Sequence, residues 1–222
     1  MSARNEAGTE RVVWGVVSAR ALRVHWALIE LGLDYRTEAV QSRSGETQTQ
    51  AFTQLNPRQK IPVLQDGALT LSESSAIVTY LAERYSRPGT RLIPTDIAAR
   101  ARYFEWLSFI AMELDATSLY VLRRHEYLPD VYGDAPAAIS GAKAYFQRMI
   151  DAAAENAFAD GRTYLLGDAF SGVDILLTTV LDWALRYEQP LPDAFLAYRE
   201  RIAERPSYAA ALLANSLPEE KS

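Results

Sequence analysis

The chain of 222 residues contains no cysteine. That excludes disulfides, thiolate metal sites and Cys-x-x-Cys redox motifs, so any thiol chemistry must use a thiol carried in by the substrate. Histidine is nearly as scarce. His25 and His125 stand far apart without a companion ligand cluster, so no metal is expected and both read as structural or surface residues. Positive charge is not in excess either. The 23 Lys and Arg against 28 Asp and Glu leave a net charge of −5, with no basic footprint for nucleic acid. No apolar run approaches the roughly 20 residues of a membrane span. The opening stretch, MSARNEAGTERVVWGVV, lacks the apolar core of a signal peptide. A cytoplasmic protein without nucleic-acid or membrane partners is the expectation.

What is present is ordinary globular material, 49% hydrophobic and 23% charged. Up to about residue 85, strand-like and helix-like stretches alternate. Arg11 to Val17 is rich in β-branched and aromatic residues and reads as a strand. Ala21 to Leu31 has the apolar period of a helix, stopped by Gly32. Tyr35 to Val40 reads as a second strand, and Thr47 to Leu55 as a short helix ending before Asn56-Pro57. Pro62 to Gln65, a turn at Asp66-Gly67, and Ala68 to Leu71 read as a hairpin. A helix opens after it and runs through Ala76, Ile77, Tyr80 and Leu81. The order is that of an α/β layer with a mixed sheet.

Ser86-Arg87-Pro88-Gly89-Thr90 breaks this pattern as a linker, and strand signals end there. Arg100 to Arg123 and Gly141 to Phe158 read as long helices. Ser171 to Arg186 is apolar on nearly every side and is expected at the centre of a helical bundle. Ser171 and Asp174 match a capping box, a folding feature without chemistry. Pro192 to Ala203 and Pro206 to Leu213 supply two closing helices. The expected domains are 10–85, a linker at 86–94, and an all-helical domain over 95–222.

The segment NPRQKIPVLQDGALTLSESSAIVTYLAERY, Asn56 to Tyr85, resembles the glutathione-binding half of the cytosolic glutathione transferases. SARALRVHWALIELGLDY near the start resembles their first helix and second strand. YLLGDAFSGVDILLTTVLDWA near the end resembles their capped central helix. The resemblance extends over almost the whole chain. It implies a thioredoxin-like domain with a mixed four-stranded sheet, followed by a helical bundle, assembled as a homodimer. It implies glutathione as co-substrate and a small hydrophobic electrophile as its partner, in detoxification or catabolism.

The same resemblance assigns residues. Ile61-Pro62 would be cis, presenting backbone groups of Ile61, next to Lys60, to the cysteinyl part of glutathione; an ordinary trans proline at a strand start is the plainer alternative. Ser74 would hold the γ-glutamyl carboxylate and Glu73 the ammonium, at a helix start whose free N–H groups favour an anion. The plainer alternative is capping by Ser72. Ser18, just past the first strand, would donate its hydroxyl to the glutathione sulfur, with Arg20 adding positive charge; its alternative is a simple N-cap.

EWLSFIAMELDA, Glu105 to Ala116, resembles the fourth helix of the bacterial beta class. In that resemblance Ser108 touches the peptide of its own chain and Glu113 that of the partner, the two lying roughly 140° apart around a helix. Tyr103, Phe109, Met112 and Asp115 are candidates for the electrophile pocket, while Trp106 of the same aromatic series reads as core. The chain departs from the beta class in having no cysteine at the sulfur, and it lacks the Ser-Ser-Cys run of the zeta class, so its subclass stays open. A non-catalytic protein on this fold, or a glutathione-dependent peroxidase or isomerase, is the alternative function. A glutaredoxin-type reductase is excluded by the missing cysteine unless glutathione itself carries all the redox chemistry.

Overall fold

A computed structural model describes residues 10–158 and 160–217. The first residues of the opening stretch and the last of the expected helical domain lie outside them. The described chain divides into two compact units, one of residues up to 90 together with those from 206 onward, the other of residues 91–205.

The first unit carries a four-stranded sheet in the order β2-β1-β3-β4. Its strands are β1 (Arg11–Trp14), β2 (Arg36–Glu38), β3 (Val63–Asp66) and β4 (Leu69–Ser72). β1 runs parallel to β2 and antiparallel to β3, which forms a hairpin with β4 across Gly67-Ala68. The helices are α1 (Ala19–Glu30), α2 (Gln50–Leu55), α3 (Ser74–Tyr85) and α10 (Pro206–Ala214). This is the thioredoxin-like arrangement with the mixed sheet expected. α1 is buried along every residue from Ala21 to Leu28, Arg23 and His25 included. An amphipathic helix on one sheet would keep a wet face. Here α10 covers that face: the Trp26 and Tyr208 rings lie 5.0 Å apart, and the Trp26 indole N–H donates to Ser207 Oγ at 3.2 Å.

The division lies within the expected linker 86–94, and the grouping of the last helix differs from the expected helical domain. The helix at 206–214 groups with the sheet unit and not with the bundle, and the division falls at 90/91. Its apolar residues suit a bundle as well as they suit α1, so periodicity alone does not allocate it.

The second unit is helical, with α4 (Ile97–Ser108), a π-helical continuation (Phe109–Leu119), α5 (Tyr120–His125), α6 (Pro129–Tyr132), α7 (Pro136–Ala157), α8 (Gly172–Arg186) and α9 (Asp193–Ala203). α8 is buried at every residue from Gly172 to Leu181, as its all-round apolar sequence requires. The capping box at its start is present. Asp174 Oδ2 accepts the Ser171 N–H at 2.8 Å and hydroxyl at 2.7 Å, and its Oδ1 accepts the Leu165 N–H at 2.9 Å and the Tyr198 hydroxyl at 2.7 Å. No helix of the described residues is long and apolar enough to cross a membrane.

Candidate functional site

Strand register gathers the predicted residues of the first unit. Trp14 pairs with Val63, and Val63 with Ser72, so β1 ends, β3 begins and β4 ends in one row across the sheet. The segments carrying Ser18, Lys60–Pro62 and Glu73–Ser74 therefore all leave the same sheet edge. β1 and β4 stand two strand spacings apart, about 10 Å. The opposite end of the same strands is closed by a buried ion pair, Arg11 with Asp66, whose carboxylate also accepts the hydroxyls of Tyr80 and Tyr85 at 2.9 and 2.6 Å.

Two of these segments nearly touch. Gly15 has φ +129, and a Cβ added there would stand 2.7 Å from the Ile61 Cβ. A larger residue would push the Ser18 loop away from Ile61, so glycine is required by both conformation and space. The Ile61–Pro62 peptide is cis, as the resemblance implies, and Pro62 is buried. Asn56 supports this segment from below: its side-chain amide donates to the Lys60 carbonyl at 2.8 Å and its Oδ1 accepts the Arg58 N–H at 3.2 Å. The Lys60 side chain itself is exposed.

Ser18 is the N-cap of α1, and its Oγ accepts the backbone N–H groups of Arg20 at 3.3 Å and Ala21 at 3.5 Å. The plainer reading of this residue is therefore true. It does not compete with the functional one, because a hydroxyl that accepts two bonds keeps its hydrogen to donate. Arg20 takes part in this geometry through its backbone N–H. Beneath the loop, His25 is fully buried; its Nε2 donates to the Gly15 carbonyl at 3.0 Å. Its Nδ1 lies 3.0 Å from the Tyr35 hydroxyl, which donates to it in the neutral ring that burial favours. Burial lowers the His25 pKa, opposed in part by the bond to Gly15, and burial pushes the Tyr35 hydroxyl up to about 12.

At the third segment the N-cap is Glu73, at φ +72, and not Ser72, which belongs to β4. The Glu73 side chain makes no capping bond to the first N–H groups of α3. Ser74 is buried, and its Oγ accepts from Arg23 at 3.2 Å, again leaving the hydroxyl hydrogen to donate. Glu73 is exposed and meets the Arg58 guanidinium at 3.3 Å. A pair this exposed is worth about 0–1 kcal/mol, so its carboxylate is readily recruited by another cation.

In the helical unit the picture differs from expectation. Because the chain from Phe109 to Leu119 is π-helical, its hydrogen bonds close one residue later than in an α-helix. Residues five apart such as Ser108 and Glu113 then lie near one face, which corrects the wide angle expected for an α-helix. Ser108 is exposed, while Glu113 is half-buried and its carboxylate accepts the Tyr145 hydroxyl. Tyr103 and Asp115 are buried and present no surface to a substrate, a second correction. Phe109 is half-buried, edge-on to a half-buried Trp106, and Met112 is exposed. His125 donates from Nδ1 to the Gly133 carbonyl at 2.9 Å, a structural bond.

Sequence reasoning missed Gly15, Arg23, Asn56 and Asn215. The last accepts the Val17 N–H at 2.7 Å through its carbonyl and the Ser18 N–H at 3.5 Å through Oδ1. Only the Asn-Pro pair at 56–57 carried a local signal, that of a turn.

Comparison with known proteins agrees with this geometry. Residues 11–83 match the family model described as glutathione S-transferase, N-terminal domain, and residues 147–206 that described as glutathione S-transferase, C-terminal domain. The chain is 31% identical over 151 residues to the theta-1 glutathione S-transferase of Rattus norvegicus, a match spanning 67% of this chain and 62% of that protein, under two thirds of its length. Among solved structures it resembles the theta-class glutathione S-transferase of Xanthomonas axonopodis pv. citri with glutathione bound, at 27% identity and a TM-score of 0.77, covering 93% of this chain and 98% of that one. A glutathione transferase from Methylococcus capsulatus gives 29% identity and the same TM-score, covering 92% and 98%. Two family models, matched in order over residues 11–83 and 147–206, make this chain a member of the glutathione S-transferase family.

Proposed function

We propose that the protein is a glutathione transferase that joins the thiol of glutathione to small hydrophobic electrophiles. The observation that carries this reading is the Ser18 hydroxyl, fixed by two backbone N–H donors so that its hydrogen is left to donate at the sheet edge. The rest of that edge suits a short acidic peptide. The uncapped start of α3 and the Arg23-held Ser74 hydroxyl suit its γ-glutamyl carboxylate, and Glu73 its ammonium. The Ile61 backbone beside the cis proline suits its cysteinyl amide.

A free thiol has a pKa near 8.5. Lowering it by about two units needs roughly 2.7 kcal/mol of preference for the thiolate. A hydrogen bond to a charged group contributes about 1.5–3 kcal/mol, so the Ser18 hydroxyl with the start of α1 suffices. The thiolate attacks an electrophilic carbon, a carbon–sulfur bond forms, and the leaving group departs with the bonding electron pair. The enzyme's contribution is thiolate formation and proximity. Phe109 and Met112 are the remaining candidates for contact with the electrophile. The protein works as a homodimer, with Ser108 touching the glutathione of its own chain and Glu113 that of the partner, and in the cytoplasm, where glutathione stays reduced. Detoxification or catabolism is the corresponding role.

The test is conjugation of glutathione to a halonitroarene by wild type and Ser18→Ala. Loss of the hydroxyl is expected to cut kcat by about 10²-fold, the scale for removing one donor to a developing anion, and to raise the pKa of the bound thiol. Equal rates would remove Ser18 from the mechanism. Binding of glutathione without turnover of any electrophile would favour a binding protein on this fold.

A further inference from the structure

The C-terminal helix α10 is tied to α1 at one end and to the Ser18 loop at the other. At its start, the Ser207 hydroxyl donates to Glu30, and the Trp26 indole reaches both Glu30 and Ser207 at 3.2 Å. At its end, the Asn215 N–H closes onto the Ala211 carbonyl at 2.9 Å, which holds Asn215 in place as the helix terminates. From there its carbonyl takes the Val17 N–H at 2.7 Å and its side-chain Oδ1 the Ser18 N–H at 3.5 Å. Val17 sits at φ +54, a left-handed conformation that a β-branched residue adopts only where its surroundings impose it. Asn215 is a partner that imposes it.

We infer that Asn215 is a positioning residue for Ser18, setting the direction of the hydroxyl that meets the substrate thiolate. This rests on the transferase reading given above and deepens it. Because the Ser18 N–H is directed to Asn215, the hydroxyl is the group of Ser18 left for the sulfur. The aim of that hydroxyl depends on the backbone at Val17 and Ser18, whose two successive N–H groups both point to Asn215. Asn215 acts on thiolate formation and has no part in holding the γ-glutamyl end of the peptide, which belongs to α3. Its loss is therefore expected in the ionisation of the bound thiol and in kcat, with KM for glutathione nearly unchanged.

The experiment follows thiolate absorbance of bound glutathione against pH, together with kcat, KM and melting temperature, for wild type, Asn215→Ala, Ser216→Ala, Ser18→Ala and the Ser18→Ala/Asn215→Ala double variant. Asn215→Ala is expected to raise the thiol pKa by about half a unit, roughly threefold less thiolate below the pKa, with kcat below that pH falling in proportion and KM within about twofold. Ser216→Ala removes hydroxyl bonds to the Leu213 and Leu217 carbonyls at the same helix end, and is expected to leave the thiol pKa in place. In the Ser18→Ala background, Asn215→Ala is expected to shift nothing further. A fall in melting temperature with the thiol pKa unmoved would overturn the inference, reducing Asn215 to a helix end. So would an equal shift in the Ser18→Ala background, which would show action without Ser18. A failure of the underlying reading looks different: Ser18→Ala alone would then leave the thiol pKa and the rate at wild-type values.

Discussion

His25 is the residue beneath the Ser18 loop whose charge state the fold constrains. Its two nitrogens are committed to the Gly15 carbonyl and the Tyr35 hydroxyl, and the ring is fully buried. Burial disfavours the imidazolium, so the folded pKa lies below the ordinary 6.5. The unfolded chain then binds more protons between the folded pKa and about 6.5, and stability rises with pH through that window. Read downward, the His25 contribution is fully present above about 6.5 and is lost as pH falls towards the folded pKa, at up to about 1.4 kcal/mol per pH unit. Urea denaturation between about pH 5 and 7.5 checks this: wild type is expected to show an extra acid slope that His25→Gln lacks. Parallel curves would show that the imidazole titrates alike in both states. At this scale the sequence revealed the residues standing at chain features, Ser18 and Ser74 at helix starts and Pro62 before a strand. It could not reveal Arg23 or Asn215, whose partners lie 51 and 197 residues away. Those roles exist only once α1, α3 and α10 are assembled.

Among the elements, α8 depends most on a single side chain. Asp174 collects four donors from Ser171, Leu165 and Tyr198 at the head of a helix with hardly any exposed residue in its first ten. Asp174→Ala would leave those donors buried without an acceptor, and each unsatisfied group costs about 1–3 kcal/mol. A loss of at least about 3 kcal/mol is expected in chemical denaturation, and a loss under about 1 kcal/mol would show that water replaces the carboxylate. Here the sequence was explicit, because a capping box is written in four consecutive residues. The π-helical stretch was not legible in the same way. Phe109 to Leu119 has the composition of any buried helix, and nothing in the order of its residues separates hydrogen bonds to the fourth residue from bonds to the fifth. The faces assigned to Ser108 and Glu113 changed for that reason alone.

For the whole molecule, chain order and spatial grouping differ at one place, α10, which returns to the sheet unit after the bundle is complete. Tyr208 and Ala211, its buried residues, carry no mark of which unit they face, so the sequence could fix the helix and not its neighbour. The surface of α4 bears on assembly. Ile97, Ala101, Phe104 and Ser108 fall on one stripe, four, seven and eleven residues along from the first, and all four are exposed, Ile97 at 85%. In the proposed homodimer a second copy would cover this stripe of apolar and small residues, a two-fold axis setting the same stripe against itself. Light scattering at micromolar concentration is expected to give the mass of two chains. Ile97→Glu with Phe104→Glu places two charges on that stripe from each copy, and is expected to give one chain with the fold intact by circular dichroism. A wild-type mass of one chain would end the homodimer reading, and with it any role of Glu113 towards a partner's glutathione. Retention of the dimer by the double variant would instead move the interface to another face.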